Sequence, residues 1–286
     1  MTVLDKTNRV LRYTCLLLCI SFFSNAQNAK WKRYEADGDS AYNQQNFEKA
    51  IKMYSKAIDA SELRGKETYR AVYNRALSYY KLERYEEALK DVDLFIPQYP
   101  QVSQAKLFRA IIYRELGDDD KQLVDLNAAM NDADPQPELL KWRGVLYLQK
   151  SEYAKAKSDL RLAQALQDDP EVETYLGLYY HETQNADSSY LCFNKSIDLD
   201  ATFTASYMYA ASSAIEDSNF TLALEYVNLL LRIEPLNAEG IFYKGIALIE
   251  LNRVDEGCSC VNKAFYSGVD RAGGYLQEYC YPTEDH

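Results

Sequence analysis

Small side chains recur along this chain with a period of 33 or 34 residues, between longer apolar and polar stretches. The first series consists of Ala76, Ala110, Gly144, Gly177, Ala211 and Gly245. A second series follows twelve residues behind the first, and it consists of Ala88, Gln122, Ala156, Ser189, Ala223 and Gly257. A fixed period of this length is the signature of a repeat architecture, in which each repeat is one small supersecondary unit. The two series in step therefore predict six such units.

Aromatic residues and prolines mark the rest of each unit. Tyrosines stand three residues after the first small residue at Tyr79, Tyr113, Tyr147 and Tyr180. Aromatic residues stand three before the second small residue at Tyr85, Tyr153 and Phe220. Prolines fall near the unit ends at Pro100, Pro135, Pro170 and Pro235. Proline lacks an amide hydrogen, which does least harm at a unit end, and a helix rarely continues through a proline. Each unit is therefore predicted to be a helix, a short turn, a second helix and a proline-marked turn.

This pattern resembles the tetratricopeptide repeat, a helical hairpin of about 34 residues with small residues where its two helices cross. The stretch from Thr204 to Asn237 shows the pattern most fully, and the stretch from Tyr69 to Pro100 is nearly as complete. An earlier unit begins at Trp31. The resemblance implies an all-α fold, a right-handed superhelical solenoid of about seven helix-turn-helix units with a C-terminal capping helix. Scarce Gly and Pro, 11 and 7 residues against 25 Tyr, also favour long helices.

We expect the solenoid to be a single domain over residues 27–286, after a signal peptide at 1–26. Its units are predicted at 31–64, 69–102, 103–136, 137–169, 170–203, 204–237 and 238–271, and its cap at 272–286. One hairpin cannot bury its apolar face alone, so stacked neighbours must share a continuous core.

The first 26 residues have the layout of a secretory signal peptide. A basic opening is followed by a nine-residue apolar run from Cys15 to Phe23 and by small residues up to Ala26. The run is too short to span a bilayer, which takes about 20 apolar residues. We predict cleavage after Ala26 and a mature chain that is exported, periplasmic or extracellular, with no transmembrane segment. A lipoprotein anchored through Cys15 or Cys19 is the alternative, although neither cysteine follows the small residue expected there.

The charge balance bears on the kind of partner. The chain carries 32 Lys and Arg against 43 Asp and Glu, a net charge of −11. Such a surface repels phosphate backbones and forfeits the counterion release that drives nucleic-acid binding. We therefore expect a protein or peptide partner and no nucleic acid.

Residues able to carry catalysis are scarce. His181 and His286 are the only two histidines, so neither a His-based triad nor a His-rich zinc site is expected. Carboxylates cluster at predicted helix starts and turns, such as Asp118 to Asp120, where they solvate the surface. The sequence has neither a Gly-rich phosphate loop nor a nucleophile-elbow serine. It thus predicts a protein that is not an enzyme and that holds no cofactor and no metal.

Four cysteines follow the predicted cleavage point, at Cys192, Cys258, Cys260 and Cys280. An exported chain meets oxidising conditions, in which a disulfide can form. Cys258 and Cys280 lie symmetrically about the predicted turn at Gly268 and Val269, so they would be neighbours in two antiparallel helices. We predict a Cys258–Cys280 disulfide that staples the cap, with Cys260 as the alternative partner of Cys280. Four reduced, partly buried thiols are the other interpretation.

The resemblance also implies a binding groove, because the first helices of tetratricopeptide units line a concave face. The groove positions of the family fall on mostly apolar residues of this chain. They are Tyr73, Leu77, Tyr80, Leu107, Ile111, Arg114, Lys141, Val145, Leu148, Thr174, Leu178, His181, Met208, Ser212, Ile215, Phe242, Ile246 and Ile249. Such a lining suits an extended segment or an amphipathic helix of a partner protein. The family's clamp for a C-terminal carboxylate is absent from the first unit, which has Glu35 and Asp39 in place of basic and amide residues.

These expectations together describe a protein-interaction scaffold or adaptor of the bacterial envelope. The resemblance covers nearly all of the predicted mature chain, but it is specific for the fold and unspecific for function. The alternative is a structural or self-associating spacer with no groove ligand, because several groove positions also pack between neighbouring first helices.

Overall fold

The computed structural model describes residues 30–63, 65–130 and 136–281. Within these ranges the chain consists of helices and turns without a strand, and the all-α prediction is confirmed. The chain divides into two compact units, Met1–Asp134 and Pro135–His286. Residues 1–26, on which the predicted signal peptide falls, lie outside the described residues. The single solenoid over residues 27–286 stays a prediction.

The N-terminal unit is built from pairs of helices. They are α1 at residues 30–43, α2 at Phe47–Ser61, α3 at Tyr69–Lys81, α4 at Tyr85–Phe95, α5 at Ser103–Glu115 and α6 at Asp119–Met130. A single 3-10 turn, Lys66–Thr68, leads into α3. Each odd-numbered helix, called a first helix below, packs against the even-numbered second helix that follows it.

The C-terminal unit repeats the same arrangement and ends in a short cap. Its helices are α7 at Pro137–Gln149, α8 at Tyr153–Leu166, α9 at Pro170–Glu182, α10 at Ala186–Leu199, α11 at Thr204–Glu216, α12 at Phe220–Ile233, α13 at Ala238–Glu250, α14 at Val254–Tyr266 and α15 at Ala272–Tyr275. Neighbouring first helices touch, α7 with α9, α9 with α11 and α11 with α13. The first helices of this unit therefore form one layer.

Small residues make the close crossing of paired helices possible. A Cβ atom on Gly177 would lie 2.5 Å from the Phe193 ring, and one on Gly144 would lie 2.8 Å from the Leu160 side chain. Ser189, at the second small position, is fully buried and donates from its Oγ to the Gly177 carbonyl oxygen at 2.8 Å. The crossing leaves no room for a larger residue on the first helix, which explains why small residues recur there.

The turn inside each pair contains one residue with a left-handed backbone. These residues are Gln45, Glu83, Gly117, Ser151, Gln184, Ser218 and Asn252. The amide that follows reaches back to the first helix, as in the bond from Asn185 N to the Tyr180 carbonyl oxygen at 2.8 Å. This bond satisfies a carbonyl group at the helix end, as in other left-handed C-caps. Only Gly117 avoids the steric cost that a side chain has in this conformation.

A buried Arg–Asp ion pair joins the first helix to the second in three of the described pairs. The ion pairs are Arg75–Asp91, Arg109–Asp125 and Arg143–Asp159. Each is bidentate, with both nitrogen–oxygen distances at 2.7 or 2.8 Å. Each guanidinium also lies 5.9 Å from the ring of the tyrosine four residues later. In the α9–α10 pair the same positions hold Leu176 and Cys192, which are both buried and carry no ion pair between the two helices.

The C-terminal end is closed by α15 and a π-helical turn, Leu276–Cys280, which pack on α14. A disulfide joins Cys258 on α14 to Cys280, with the two Cα atoms 5.7 Å apart. Cys260, the alternative partner, is a free, half-buried thiol, and Cys192 is a free, buried one. In the described ranges, none of the helices combines the length and apolar character needed to cross a bilayer.

Candidate partner-binding surface

Three residue types recur on the first helices of the C-terminal unit, and on each helix they share one face. A tyrosine is followed three positions later by a small or apolar residue and seven positions later by a glutamate, a spacing that aligns the side chains along the helix. We call each such set a triplet. The triplets are Tyr175, Leu178 and Glu182 on α9, Tyr209, Ser212 and Glu216 on α11, and Tyr243, Ile246 and Glu250 on α13.

The α9 and α11 triplets reach the surface. Tyr209 is 39% exposed, both glutamates are exposed, and the other three side chains are half-buried. Tyr175 and Tyr209 are neighbours on adjacent helices. Burial first, and then the nearby charges of Glu171 and Tyr209, raise the pKa of Tyr175 to about 12. We call the α9 and α11 triplets together with Met208 and Ile215 the first-helix face.

Five of the predicted groove residues in this unit, Val145, Leu148, Leu178, Met208 and Ile215, are half-buried. Leu178 and Met208 both pack at the rim of the core cluster formed by α10, α11 and α12. One part of each side chain therefore stabilises the stack, and the other part is available at the surface. Tyr175 and Tyr209 were missed by the sequence analysis, although tyrosines at 175, 209 and 243 recur every 34 residues.

The glutamate ends of the two triplets border an open acidic pocket of about 370 Å³. It is lined by His181, Glu182, Gln184, Ala186, Glu216 and Asp217. His181 Nε2 lies 3.1 Å from a Glu216 oxygen, and His181 Nδ1 lies 3.9 Å from an Asp217 oxygen. The predicted groove residue His181 therefore faces carboxylates, and its side chain is only 14% exposed. Within the described ranges, no group of three or more His, Cys, Asp or Glu side chains is placed to hold a metal ion.

Lys141 does not line a surface, which corrects the prediction for this residue. Its side chain is only 7% exposed, and its Nζ contacts Glu138 at 2.9 Å, Asp169 at 3.0 Å and Glu171 at 2.7 Å. Burial lowers the pKa of Lys141, but the hydrogen bonds to the three carboxylates outweigh burial and raise the pKa above its ordinary value. Thr174 is also buried, in a hydroxyl cluster with Ser196 and Ser206.

Phe242, Ile246 and Ile249 on α13 require a similar correction, because they belong to the terminal core at 4%, 8% and 7% exposure. The capping segment covers them. Tyr275 packs edge-on against Phe242 with ring centroids 5.9 Å apart, and its hydroxyl lies 3.4 Å from Glu250.

The same segment places a cation on the tyrosine end of α13. The Arg271 guanidinium lies 5.0 Å from the Phe242 ring centre and 5.2 Å from the Tyr243 ring centre, and it is ion-paired with Glu239. The α13 triplet is thus occupied by the chain itself, by an arginine at one end and a tyrosine hydroxyl at the other.

In the N-terminal unit the predicted residues Tyr73, Leu77, Tyr80, Leu107 and Ile111 are half-buried. Phe108, which the sequence analysis did not select, lies between two of them, with ring centroids 5.7 Å from Tyr73 and 5.5 Å from Tyr80. These aromatic rings pack α3 against α5, so much of their area belongs to the core. Arg114 is exposed, and its guanidinium contacts the neighbouring Glu115 at 3.0 Å.

Polar groups at the start of this unit are paired with one another. Arg70 donates to Glu35 at 2.8 Å and to Asp39 at 3.3 Å. Asp39 also accepts from Asn74 at 3.1 Å and from the Tyr54 hydroxyl at 2.8 Å. An apolar pocket of about 710 Å³ lies nearby, where Trp31, Phe95, Tyr99 and Val102 are among the lining residues.

Comparison with known proteins identifies the repeat in one part of the sequence and similar folds among solved structures. Residues 36–103 match the family model of the tetratricopeptide repeat. A tetratricopeptide repeat protein from Parabacteroides merdae is similar in structure, with a TM-score of 0.68 and 17% identity over 87% of this chain and 98% of that one. The C-terminal part of a repeat-containing protein from Cytophaga hutchinsonii gives a TM-score of 0.62 and 18% identity, over 84% and 98%. PilW, a widely conserved type IV pilus biogenesis factor, gives 0.63 and 16%, over 73% and 98%.

The described residues form helical hairpins, and those of the C-terminal unit leave the α9 and α11 triplets at the surface. The fold is that of tetratricopeptide repeat proteins, and residues 36–103 also carry the sequence pattern of that repeat. Repeat proteins of this kind are generally interaction scaffolds, since stacking creates extended binding surfaces.

Proposed function

We propose that this chain is an interaction scaffold of the bacterial envelope that binds a segment of a partner protein on the first-helix face. The observation that carries the proposal is that tyrosine and glutamate side chains stand in register on two adjacent helices, with Tyr209 and both glutamates exposed and Leu178 half-buried between them. Tyrosine provides a large, rigid contact area with a polar tip, and it is enriched at protein interfaces. An apolar, aromatic strip between first helices fits a partner segment laid along it.

The proposed location outside the cytoplasm has its own support. The Cys258–Cys280 disulfide is compatible with an exported protein, because disulfides persist in oxidising compartments. The basic and apolar layout of residues 1–26 is that of a signal peptide. N-terminal sequencing of the protein purified from its own cells should give Gln27 as the first residue. A first residue of Met1 or Thr2 would contradict export by this route.

Site-specific photo-crosslinking in the cells that produce this chain tests the binding proposal. A photoreactive phenylalanine analogue replaces Tyr209 on the first-helix face or, as the matched control, Leu191, which is 70% exposed on α10. We expect a discrete crosslinked protein from position 209 and none from position 191. Equal crosslinking at both positions, or none at position 209, would contradict binding on this face. A product of twice the chain's own mass would favour the self-associating spacer instead.

A further inference from the structure

The chemistry of the partner can be inferred from how the chain fills its own α13 triplet. At the tyrosine end, Arg271 stacks on Phe242 and Tyr243 and pairs with Glu239. At the glutamate end, the Tyr275 hydroxyl meets Glu250. An arginine and an aromatic residue four positions later therefore satisfy a triplet whose sequence pattern is the same as those on α9 and α11.

A second internal cation lies beside the α9 triplet. Lys141 binds three carboxylates there, and one of them, Glu171, lies 3.5 Å from the Tyr175 hydroxyl. At each end of the first-helix layer, a carboxylate near a tyrosine thus pairs with a basic residue of the same chain. The basic residue is Lys141 at one end and Arg271 at the other.

The first-helix face between these two places has a tyrosine and a glutamate at the same triplet positions, and on α11 both reach the surface. Tyr209 is 39% exposed, and the side chain of Glu216 is 64% exposed. A guanidinium over an aromatic ring is attracted by the ring's quadrupole, and a carboxylate within reach adds a charge-assisted hydrogen bond. The apolar strip of Leu178, Met208 and Ile215 would cover apolar side chains of the same segment.

We infer that the first-helix face takes a partner segment in which arginine or lysine side chains stand next to aromatic or aliphatic ones, with basic groups over Tyr209 at the tyrosine end or beside Glu182 and Glu216 at the glutamate end. This inference rests on the proposed function and specifies the partner's chemistry. Complementarity of charge supports it, since both glutamates on this face are exposed and the chain has a net charge of −11. A segment rich in Asp or Glu would be repelled from the same face.

Selection from a phage-displayed library of random peptides tests the inference on the full chain with its disulfide intact. Arg and Lys should be enriched, and Asp and Glu depleted, in selected peptides that also contain aromatic or aliphatic residues. Synthetic peptides from the pool then give dissociation constants by fluorescence anisotropy. The face variant Tyr209→Ala/Glu182→Gln/Glu216→Gln should bind at least about tenfold more weakly, from the loss of one cation–π contact and two ion pairs.

A matched variant separates the face from general attraction to an acidic protein. Asp187→Asn/Glu225→Gln removes the same two charges from exposed positions on the second helices α10 and α12, and it should bind the peptides within about twofold of the native chain. Equal weakening in both variants, an acidic pool, or no enriched pool would each overturn the inference. Circular dichroism melts confirm that both variants fold.

Failure of this inference and failure of the proposed function give different experimental results. Crosslinking at position 209 together with an acidic or charge-neutral peptide pool would refute the inference and leave the binding face intact. An absence of crosslinking together with peptides that bind all variants equally would refute both.

Discussion

Removing one partner of the buried Arg109–Asp125 pair should destabilise the N-terminal unit, most strongly when Arg109 is lost, whereas removing both should cost less than removing Arg109 alone. The Asp125 side chain is 4% exposed and accepts two hydrogen bonds from Arg109, at 2.7 and 2.8 Å. Arg109 also donates to Asp93 on α4 at 2.7 Å, and its own side chain is 24% exposed. The arginine therefore keeps a partner when Asp125 is lost, but the aspartate stays buried when Arg109 is lost.

The magnitudes follow from this asymmetry. A charge left buried without its partner costs about 3–5 kcal/mol, so Arg109→Leu should lower the free energy of unfolding by about 3–4 kcal/mol. Asp125→Ala should cost about 2 kcal/mol, because Arg109 retains Asp93 and some solvent. The double variant creates an apolar pair like the one at Leu176 and Cys192, and it should also cost about 2 kcal/mol. The coupling energy of the double-mutant cycle is then about 3–4 kcal/mol in magnitude.

Urea unfolding followed by circular dichroism measures the four free energies, and hydrogen exchange of the α5 and α6 amides shows whether the loss is local. The exposed pair Arg84–Glu87, with a nitrogen–oxygen distance of 2.5 Å, is the matched control in the same unit. Glu87→Ala should cost less than about 0.5 kcal/mol, because solvent screens exposed pairs. The reasoning is refuted if the costs of the two single variants simply add up in the double variant, or if Asp125→Ala costs no more than Glu87→Ala.

Three further predictions concern the backbone turns, the helix crossings and the cap. Gln184→Gly should raise the free energy of unfolding by about 0.5–1 kcal/mol, because glycine adopts the left-handed backbone of this turn without steric cost. Gly117→Ala should lower the free energy of unfolding for the same reason. Denaturant titrations in which both changes have the same sign would contradict this. Gly177→Val should cost about 2–3 kcal/mol through overpacking against the α10 aromatic ring, and a cost below about 0.5 kcal/mol would show that the crossing can open. Cys258→Ser should lower the free energy of unfolding by about 2–3 kcal/mol and make the melting temperature insensitive to reductant. The control Cys260→Ser should keep a melting temperature that falls with reductant. A native protein whose melting temperature does not respond to reductant would contradict the disulfide.

The hairpin fold could be predicted because its main requirement is local and periodic. Gly177 and Ser189 are small because two helices cross there, and this steric demand returns in every pair. The Arg–Asp pairs recur with the same spacing but were missed. Arg109 and Asp125 stand 16 residues apart, and nothing in either helix alone indicates that they meet. Their contact depends on the register of the folded hairpin.

The candidate surface was harder to predict, because a repeat position does not specify what covers it. Lys141 occupies a family groove position, yet three carboxylates contact it, and two of them, Asp169 and Glu171, stand at the start of α9. Tyr209 was overlooked because the sequence of an apolar helix predicts that its aromatic residues are buried in the core. Only the burial of the folded chain shows that it reaches the surface.

Leu178 and Ile246 show how far this dependence goes. They hold the same position in the α9 and α13 triplets, but Leu178 is half-buried at the surface and Ile246 lies in the core. The difference comes from the capping segment, whose Arg271 and Tyr275 occupy the α13 triplet. One set of side chains thus forms core where the chain supplies a covering helix and stays at the surface where it does not. The proposed partner chemistry follows from this comparison, because a ligand on the first-helix face would meet the same triplet positions that the cap meets on α13.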